Sequence, residues 1–266
     1  KYVVSNFHRY SKRTKYRYIQ NMTDNIPVIA IDGLASSGKS SVSKLLSKRL
    51  KYFVLDSGIL YRAISYIKIN EPNSFSSKSL LNEVINNIYL KPSDNLDFLV
   101  TYKDKDISNN LYEEEIGLAA SEISKNEDIR NLLLPIQQGC VSMPGLLANG
   151  RDMGTKVFPK AQLKVYFTAD IDVRAERRYE QLLKSGSKPS FKNIRKSLVD
   201  RDEKDINREI SPLRAAKDAV IIDSSKLNIE SILDKILELY KITGVWIIRG
   251  LYIDGSPIGI WNFIPW

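Results

Sequence analysis

The chain has 266 residues, a net charge of +9, 43% hydrophobic and 27% charged residues, one cysteine and one histidine. This balance suits an ordinary globular protein of one large or two small domains and excludes a disordered or fibrous chain. A lone Cys140 allows no disulfide within the chain, and with His8 as the single imidazole, zinc sites and histidine-based catalysis are nearly excluded.

Six of the positive charges, Lys1, Arg9, Lys12, Arg13, Lys15 and Arg17, fall in the first 21 residues with no acid among them, which leaves +3 for everything that follows. A mildly basic folded part suits a pocket for several phosphates and gives no broad electrostatic stripe for nucleic acid. Residues 1–26 therefore read as a basic arm outside the domain. They are either an organellar targeting segment, being arginine-rich and acid-poor, or sequence upstream of a natural start at Met22.

The first element is an apolar strand from Val28 to Ile31, then Asp32. It breaks into Gly33-Leu34-Ala35-Ser36-Ser37-Gly38-Lys39-Ser40, with Ser41 following, and then into a helix whose apolar face is Val42, Leu45, Leu46 and Leu50. Strand, glycine-bounded loop and helix in that order form a phosphate-binding loop. The glycines let successive N–H groups point at a polyphosphate, and the helix N-terminus adds its positive end. Lys39 is placed to reach the outer phosphates and the Ser40 hydroxyl a magnesium ion.

A second buried strand is predicted over Tyr52–Asp56, ending in Ser57-Gly58, where a helix carrying Tyr61 and Arg62 begins. Ligands of open α/β sheets sit beyond the carboxyl ends of the strands, so Ser57 and Arg62 should lie near the loop. Residues 69–112 turn polar and read as an insertion, a small antiparallel unit with a hairpin of Ile88–Leu90 and Phe98–Tyr102. From Glu113 a helical pattern carries Ser121, and a second helical piece carries Arg130 before Pro135, where a kink is expected. Gly145–Asn149, Leu163–Thr168 and Ala219–Ile222 complete five short apolar strands, so the chain is α/β, with a five-stranded parallel sheet and helices on both faces.

Between the last two strands lies a charged helical hairpin, residues 172–209. Arg174, Arg177 and Arg178 share one turn of its first arm. Arg201, Asp205 and Arg208 are spaced to share one face of its second arm if the helix runs that far. On spacing alone, a solvated face stitched by Arg–Asp pairs accounts for them. After a last helix at 229–242, residues 244–266 are apolar and aromatic but too interrupted to span a membrane. Extra strands, an oligomer contact and sequence foreign to the domain all fit that tail.

Over residues 27–243 the chain resembles the bacterial type of cytidylate (CMP) kinase. The likeness rests on Ile29-Ala30-Ile31-Asp32-Gly33 with Gly38-Lys39-Ser40, Leu55-Asp56-Ser57-Gly58 with Tyr61-Arg62-Ala63, Gly150-Arg151-Asp152-Met153-Gly154-Thr155, Arg174-Ala175-Glu176-Arg177-Arg178, and Arg201-Asp202 with Asp205, Asn207-Arg208 and Ser211-Pro212-Leu213. It implies transfer of the γ-phosphoryl of ATP to CMP or dCMP with Mg2+. The insertion would be the monophosphate-binding subdomain and the hairpin a lid.

By similarity, residues 33–41 hold ATP, Ser40 the metal, and Lys39, Arg151, Arg177 and Arg208 supply catalytic charge. Ser57, Arg62, Arg151 and Arg208 would hold the acceptor phosphate; Ser121, Arg130 and Asp152 would read cytosine; Arg201 and Asp205 would contact the sugar. Leu34 and Ser36 replace the family's Pro and Gly, with the two turn-setting glycines kept, and Asn149 stands where an aspartate is usual. The resemblance also implies a cytoplasmic monomer that engages neither nucleic acid nor membrane, unless residues 1–21 direct import. A kinase for UMP or AMP and a nucleotide-dependent binding module remain as alternatives, although no Asn-Lys-x-Asp guanine-reading segment follows the later strands.

Overall fold

The computed structural model describes residues 26–243 and, in the tail, four two-residue strand pieces. The expected N-terminal arm lies outside the described residues apart from Ile26. In the tail, Ile248–Arg249 pairs antiparallel with Asn262–Phe263, and Tyr252–Ile253 with Ser256–Pro257.

Five strands, β1 (Val28–Gly33), β2 (Phe53–Asp56), β6 (Leu146–Asn149), β7 (Leu163–Thr168) and β8 (Val220–Asp223), form one parallel sheet in the order β2-β6-β1-β7-β8. β1 is central and buried along its whole length, as an apolar run in a parallel sheet must be. The two-residue period divides the core. Ile29, Ile31 and Leu147 face a layer made by Val42 and Leu46 of α1 (Lys39–Leu50) and by Leu233 and Ile236 of α8 (Ile229–Ile242). Val28, Ala30, Leu146 and Ala148 face the other way, onto Met153, Val157, Phe158 and Phe98. Across the first layer the Tyr52 and Tyr240 hydroxyls meet at 2.8 Å, so the last helix is bonded to the start of β2.

The insertion is a unit with its own core. That core reaches beyond the expected bounds of 69–112: it is built by α2 (Gly58–Asn70), α3 (Lys78–Asn86), an antiparallel sheet of β3 (Ile88–Pro92), β4 (Phe98–Tyr102) and β5 (Lys105–Asp106), then α4 (Glu114–Ile123) and α5 (Glu127–Gln138). The predicted hairpin is present, with a third strand that carries no apolar signal. Pro135 sits inside the last turn of α5, and the helix continues past it to Gln138.

The charged hairpin is α6 (Ile171–Lys184) and α7 (Phe191–Asn207), capped by Asp170 and Ser190. One expectation is corrected here: α7 ends at Asn207, and Arg208 is extended, with φ −66° and ψ 139°. Arg208 therefore does not continue the helix face of Arg201 and Asp205.

Gly33 closes β1 where the chain must turn, at φ 139°, opposite Phe167 of β7. A Cβ there would stand 2.1 Å from the Phe167 carbonyl oxygen, a backbone atom that cannot swing away. Gly33→Ala is expected to destabilise the protein by at least about 3 kcal/mol, combining backbone strain and overpacking. Urea unfolding checks this, and an unchanged midpoint would mean that β1 and β7 separate freely at this point.

Candidate active site

The parallel register sets Ile31, Asn149 and Asp56 side by side at the carboxyl ends of β1, β6 and β2. The segments that leave these ends, residues 33–40, 57–58 and 150–157, therefore meet in one place. This is the crevice in which ligands of open α/β sheets bind.

On the loop side, Gly38 takes φ 94° as the N-cap of α1, and no side chain caps that helix. By contrast α3, α5, α6, α7 and α8 each carry a side-chain cap. The first N–H groups of α1 are left for an anion. Ser36 also lies in the left-handed region, at φ 57°. A serine there holds a conformation that glycine adopts freely.

Lys39 is buried and folded back onto the loop, its Nζ donating to the carbonyls of Gly33 at 2.9 Å and Leu34 at 2.5 Å. Burial, and then the positive charge of Arg151, hold its pKa well below the usual lysine range. Ser40 Oγ accepts from Asn149 Nδ2 at 3.0 Å, while Asn149 Oδ1 is buried without a partner. Arg177 stands on the β8 side of the loop, donating to the Ser224 hydroxyl at 3.0 Å and carbonyl at 2.6 Å. Ser224 Oγ in turn donates to the Ser37 carbonyl at 2.9 Å. Ala35 and Ser37 are buried within the loop and Ser41 is exposed on α1.

On the other side, Arg130 and Asp152 form a buried ion pair, with the Arg130 guanidinium 5.5 Å above the Tyr61 ring. Arg130 Nη1 also donates to the Ser124 carbonyl at 2.9 Å, and Ser124 Oγ to the Ser121 carbonyl at 2.9 Å, which links Ser121 to the pair. Arg208, though off the helix, reaches the same place. It donates from Nε to Ser211 O at 2.6 Å, approaches Asp205 at 3.9 Å, and keeps Nη2 buried with no partner. Burial and then the charge of Arg130 lower its pKa. Arg151 donates from Nε to Asp205 Oδ2 at 2.8 Å. Asp205 is buried, so the solvated face that spacing alone allowed is not what forms.

Ser57 is buried against Gly150, its Oγ 2.6 Å from where a Cβ on that glycine would be. Arg62 donates to the Leu111 carbonyl at 2.8 Å, and burial lowers its pKa while Asp56 opposes that shift. Arg201 is exposed as a whole beside this group, yet burial of its charged end, and then the charge of Arg151, lower its pKa. The structure thus brings Lys39, Arg151, Arg201, Asp205, Arg208, Arg130 and Asp152 into one neighbourhood and sets Arg177 apart, on the far side of the loop.

Two features escaped sequence reasoning. Asp32 is buried and accepts from the backbone N–H groups of Met153 and Gly154, both at 2.8 Å, which pins the π-type turn Met153–Val157 to β1. Its place just before Gly33 was visible; its partners, more than a hundred residues away, were not. The other is a buried pair of Arg174 with Asp202.

A parallel sheet in this order, with a glycine-bounded loop at the end of its central strand and an uncapped helix behind it, is the fold and loop of a P-loop kinase. Residues 29–242 match the family model described as cytidylate kinase. A cytidylate kinase from Caldicellulosiruptor saccharolyticus is 38% identical over 81% of this chain and 96% of its own length. One from Methylococcus capsulatus is 38% identical over 83% of this chain and 99% of its own. A solved gluconokinase from Sinorhizobium meliloti 1021, 13% identical over 81% of this chain and 92% of that one with a TM-score of 0.42, is too distant to bear on the chemistry. The chain belongs to the cytidylate kinase family.

Burial pushes the Asp32 carboxyl up from 3.8 to about 6, against the two N–H groups that favour the carboxylate. Between pH 4 and 6 the folded protein thus holds a proton that the unfolded chain has lost. The stability linked to it is full below pH 4 and is lost as pH rises through 6, by up to about 3 kcal/mol. Asp32→Asn has no such proton to hold. Its urea midpoint should lack that part of the slope, although the amide leaves one N–H unpaired and lowers stability at every pH. Parallel curves for the two proteins would contradict this assignment.

Proposed function

We propose that the protein transfers the γ-phosphoryl of ATP to CMP and dCMP, giving ADP and CDP or dCDP. Membership of the family supports the reaction class. The observation that carries the acceptor is the buried Arg130–Asp152 pair beside Tyr61, with the unpartnered Nη2 of Arg208 next to it. Cytosine presents an amino donor beside ring-nitrogen and carbonyl acceptors. An aspartate acceptor with an arginine donor complements that edge, and Asp152 Oδ1 is not used by the pair with Arg130. Uracil would turn a carbonyl toward the carboxylate, a mismatch that discriminates strongly. In this reading Ser121 completes the base site.

Arg208, Arg151, Ser57 and Arg62 hold the acceptor phosphate, and Arg201 and Asp205 the sugar. Arg151 and Asp205, paired here, then exchange one another for ligand groups. An oxygen of the CMP phosphate attacks the γ-phosphorus, the bond to the β-bridging oxygen breaks, and ADP leaves with that electron pair. Little covalent chemistry falls to the protein, so its contribution is position and charge. Lys39 leaves the loop carbonyls for the transferred phosphoryl, and the N–H groups of residues 33–41 cradle the donor phosphates. Arg177 stands on the donor side.

Ser40 and Asn149 fit a hydrated Mg2+, because the unpartnered Asn149 Oδ1 can accept from a water on the ion while Ser40 is held by the same side chain. Bound with ATP, the ion would offset charge on the β- and γ-phosphates. We assign the insertion to the acceptor nucleotide and the α6–α7 hairpin to a lid that excludes water. We assign the activity to a cytoplasmic monomer, since its small-molecule substrates require no nucleic acid or membrane.

Coupled ADP release measured with CMP, dCMP, UMP, AMP and GMP should show the two cytidylates used far faster than the rest. Asp152→Asn should lower kcat/KM for CMP while leaving the KM for ATP little changed. Equal rates with CMP and UMP would defeat the reading.

Asn149→Asp restores a charge beside the ion and should lower the Mg2+ concentration for half-maximal rate. It should likewise lower the Mg2+ needed for half-maximal binding of a non-hydrolysable ATP analogue. An unchanged requirement in both would remove this position from metal handling.

A further inference from the structure

Ala35 belongs to the phosphate loop, yet its methyl group is packed with Ala175, Ile194 and Leu198 of the helical hairpin. Both its peptide groups are held by the same hairpin. The Ala35 N–H donates to Asp202 Oδ1 at 3.3 Å, and the Ala35 carbonyl accepts from Arg174 Nη1 at 3.2 Å. Arg174 and Asp202 are buried and ion-paired with each other. Arg174 Nε also donates to the Ala169 carbonyl, just past β7, at 2.9 Å.

One turn further along α7, Asp205 accepts from Arg151. The end of a single helix therefore grips the phosphate loop through Asp202 and the segment after β6 through Asp205. A buried Arg–Asp pair is costly to desolvate, and an apolar contact would join the two surfaces at less expense. What an apolar contact could not do is fix the orientation of the two peptide planes that flank Ala35, which this pair does through the N–H of one and the C=O of the other.

We propose that Arg174 and Asp202 are positioning residues that make the phosphate loop and the base of the hairpin, below the part that closes as a lid, one mechanical body, so that occupancy of the ATP side and of the acceptor side are coupled through α7. The inference rests on the proposed function for the identity of the two ligands. An acceptor phosphate that recruits Arg151 releases Asp205 and alters the end of α7. With Asp202 bonded to Ala35, that change reaches the loop. Linkage then requires the same factor in the other direction, from donor to acceptor.

Turnover of the wild type with CMP, measured first, tests the proposed function by itself. The coupling is then read by calorimetry as the Kd of a non-hydrolysable ATP analogue with Mg2+, in the presence and absence of saturating CMP. In the wild type CMP should tighten the analogue by about fivefold or more, the low end of ordinary coupling. Three variants are compared. Arg174→Lys keeps the charge and holds the fold but cannot make the forked contacts. Asp202→Asn keeps the shape and loses the charge. Arg174→Met with Asp202→Leu replaces the pair by apolar bulk. In each the ratio should fall toward one, while the affinity for CMP alone stays within about twofold of wild type, which a general loosening of the fold would not spare. A wild-type ratio of one, or a ratio that survives in the folded variants, overturns the proposal.

Discussion

The site depends on one buried carboxylate. Asp32 ends the buried run of β1 and accepts two backbone N–H groups from the turn that follows β6. Removing a carboxylate from water is costly, and here two donors at 2.8 Å and the nearby Lys39 offset only part of the cost, which is why its pKa stays raised. The phosphate loop begins one residue later, and Arg151 and Asp152 immediately precede the turn. A single side chain thus fixes the phosphate loop against the segment that follows β6. At Gly154 a Cβ would stand 3.2 Å from the Lys164 side chain and 3.4 Å from Asp32, so the turn lies close against the carboxylate.

Around this joint the charges are arranged in two ways. Arg130–Asp152 and Arg174–Asp202 are desolvated pairs, and for such pairs the loss of one partner costs far more than the pair contributes. Lys39, Arg62 and Arg208 are different. Burial lowers the pKa of each, and like charges nearby, Arg151, Arg178 and Arg130, add to the lowering. Such a group of cations is electrostatically strained until anions enter it. Phosphate ligands should therefore stabilise the fold as well as bind to it.

Much of this was legible in the sequence, for local reasons. Gly33 and Gly38 are dictated by the turn they make, and short, mainly apolar runs read correctly as parallel strands, although Lys164 interrupts β7 and β8 is half exposed. The short β5 was not legible, because Lys105–Asp106 has no apolar residue and is held by pairing with β4 alone. Arg208 was assigned to a helix face by counting; the helix stopped first, and the side chain reached the crevice from an extended backbone. The Arg174–Asp202 grip was invisible because its partners lie 28 residues apart on two helices, each rich in charged residues that solvent alone would explain. Of the site, geometry was readable where the chain itself imposes it, while the roles of individual arginines came from likeness to a family.

The two main cores differ in how they are spread along the chain. The insertion's core uses residues from Ile59 to Ile136 and nothing outside that interval. The sheet's helical layer draws on Ile29 at one end and Tyr240 at the other, with Leu147 to Phe167 between them. On a ribosome the first set is complete once Ile136 has emerged, whereas the second cannot close until α8 is out. Domains tend to fold as units during synthesis. The unit that carries Tyr61, Arg62 and Arg130 would then be shaped while the phosphate loop is still tethered to an unfinished sheet.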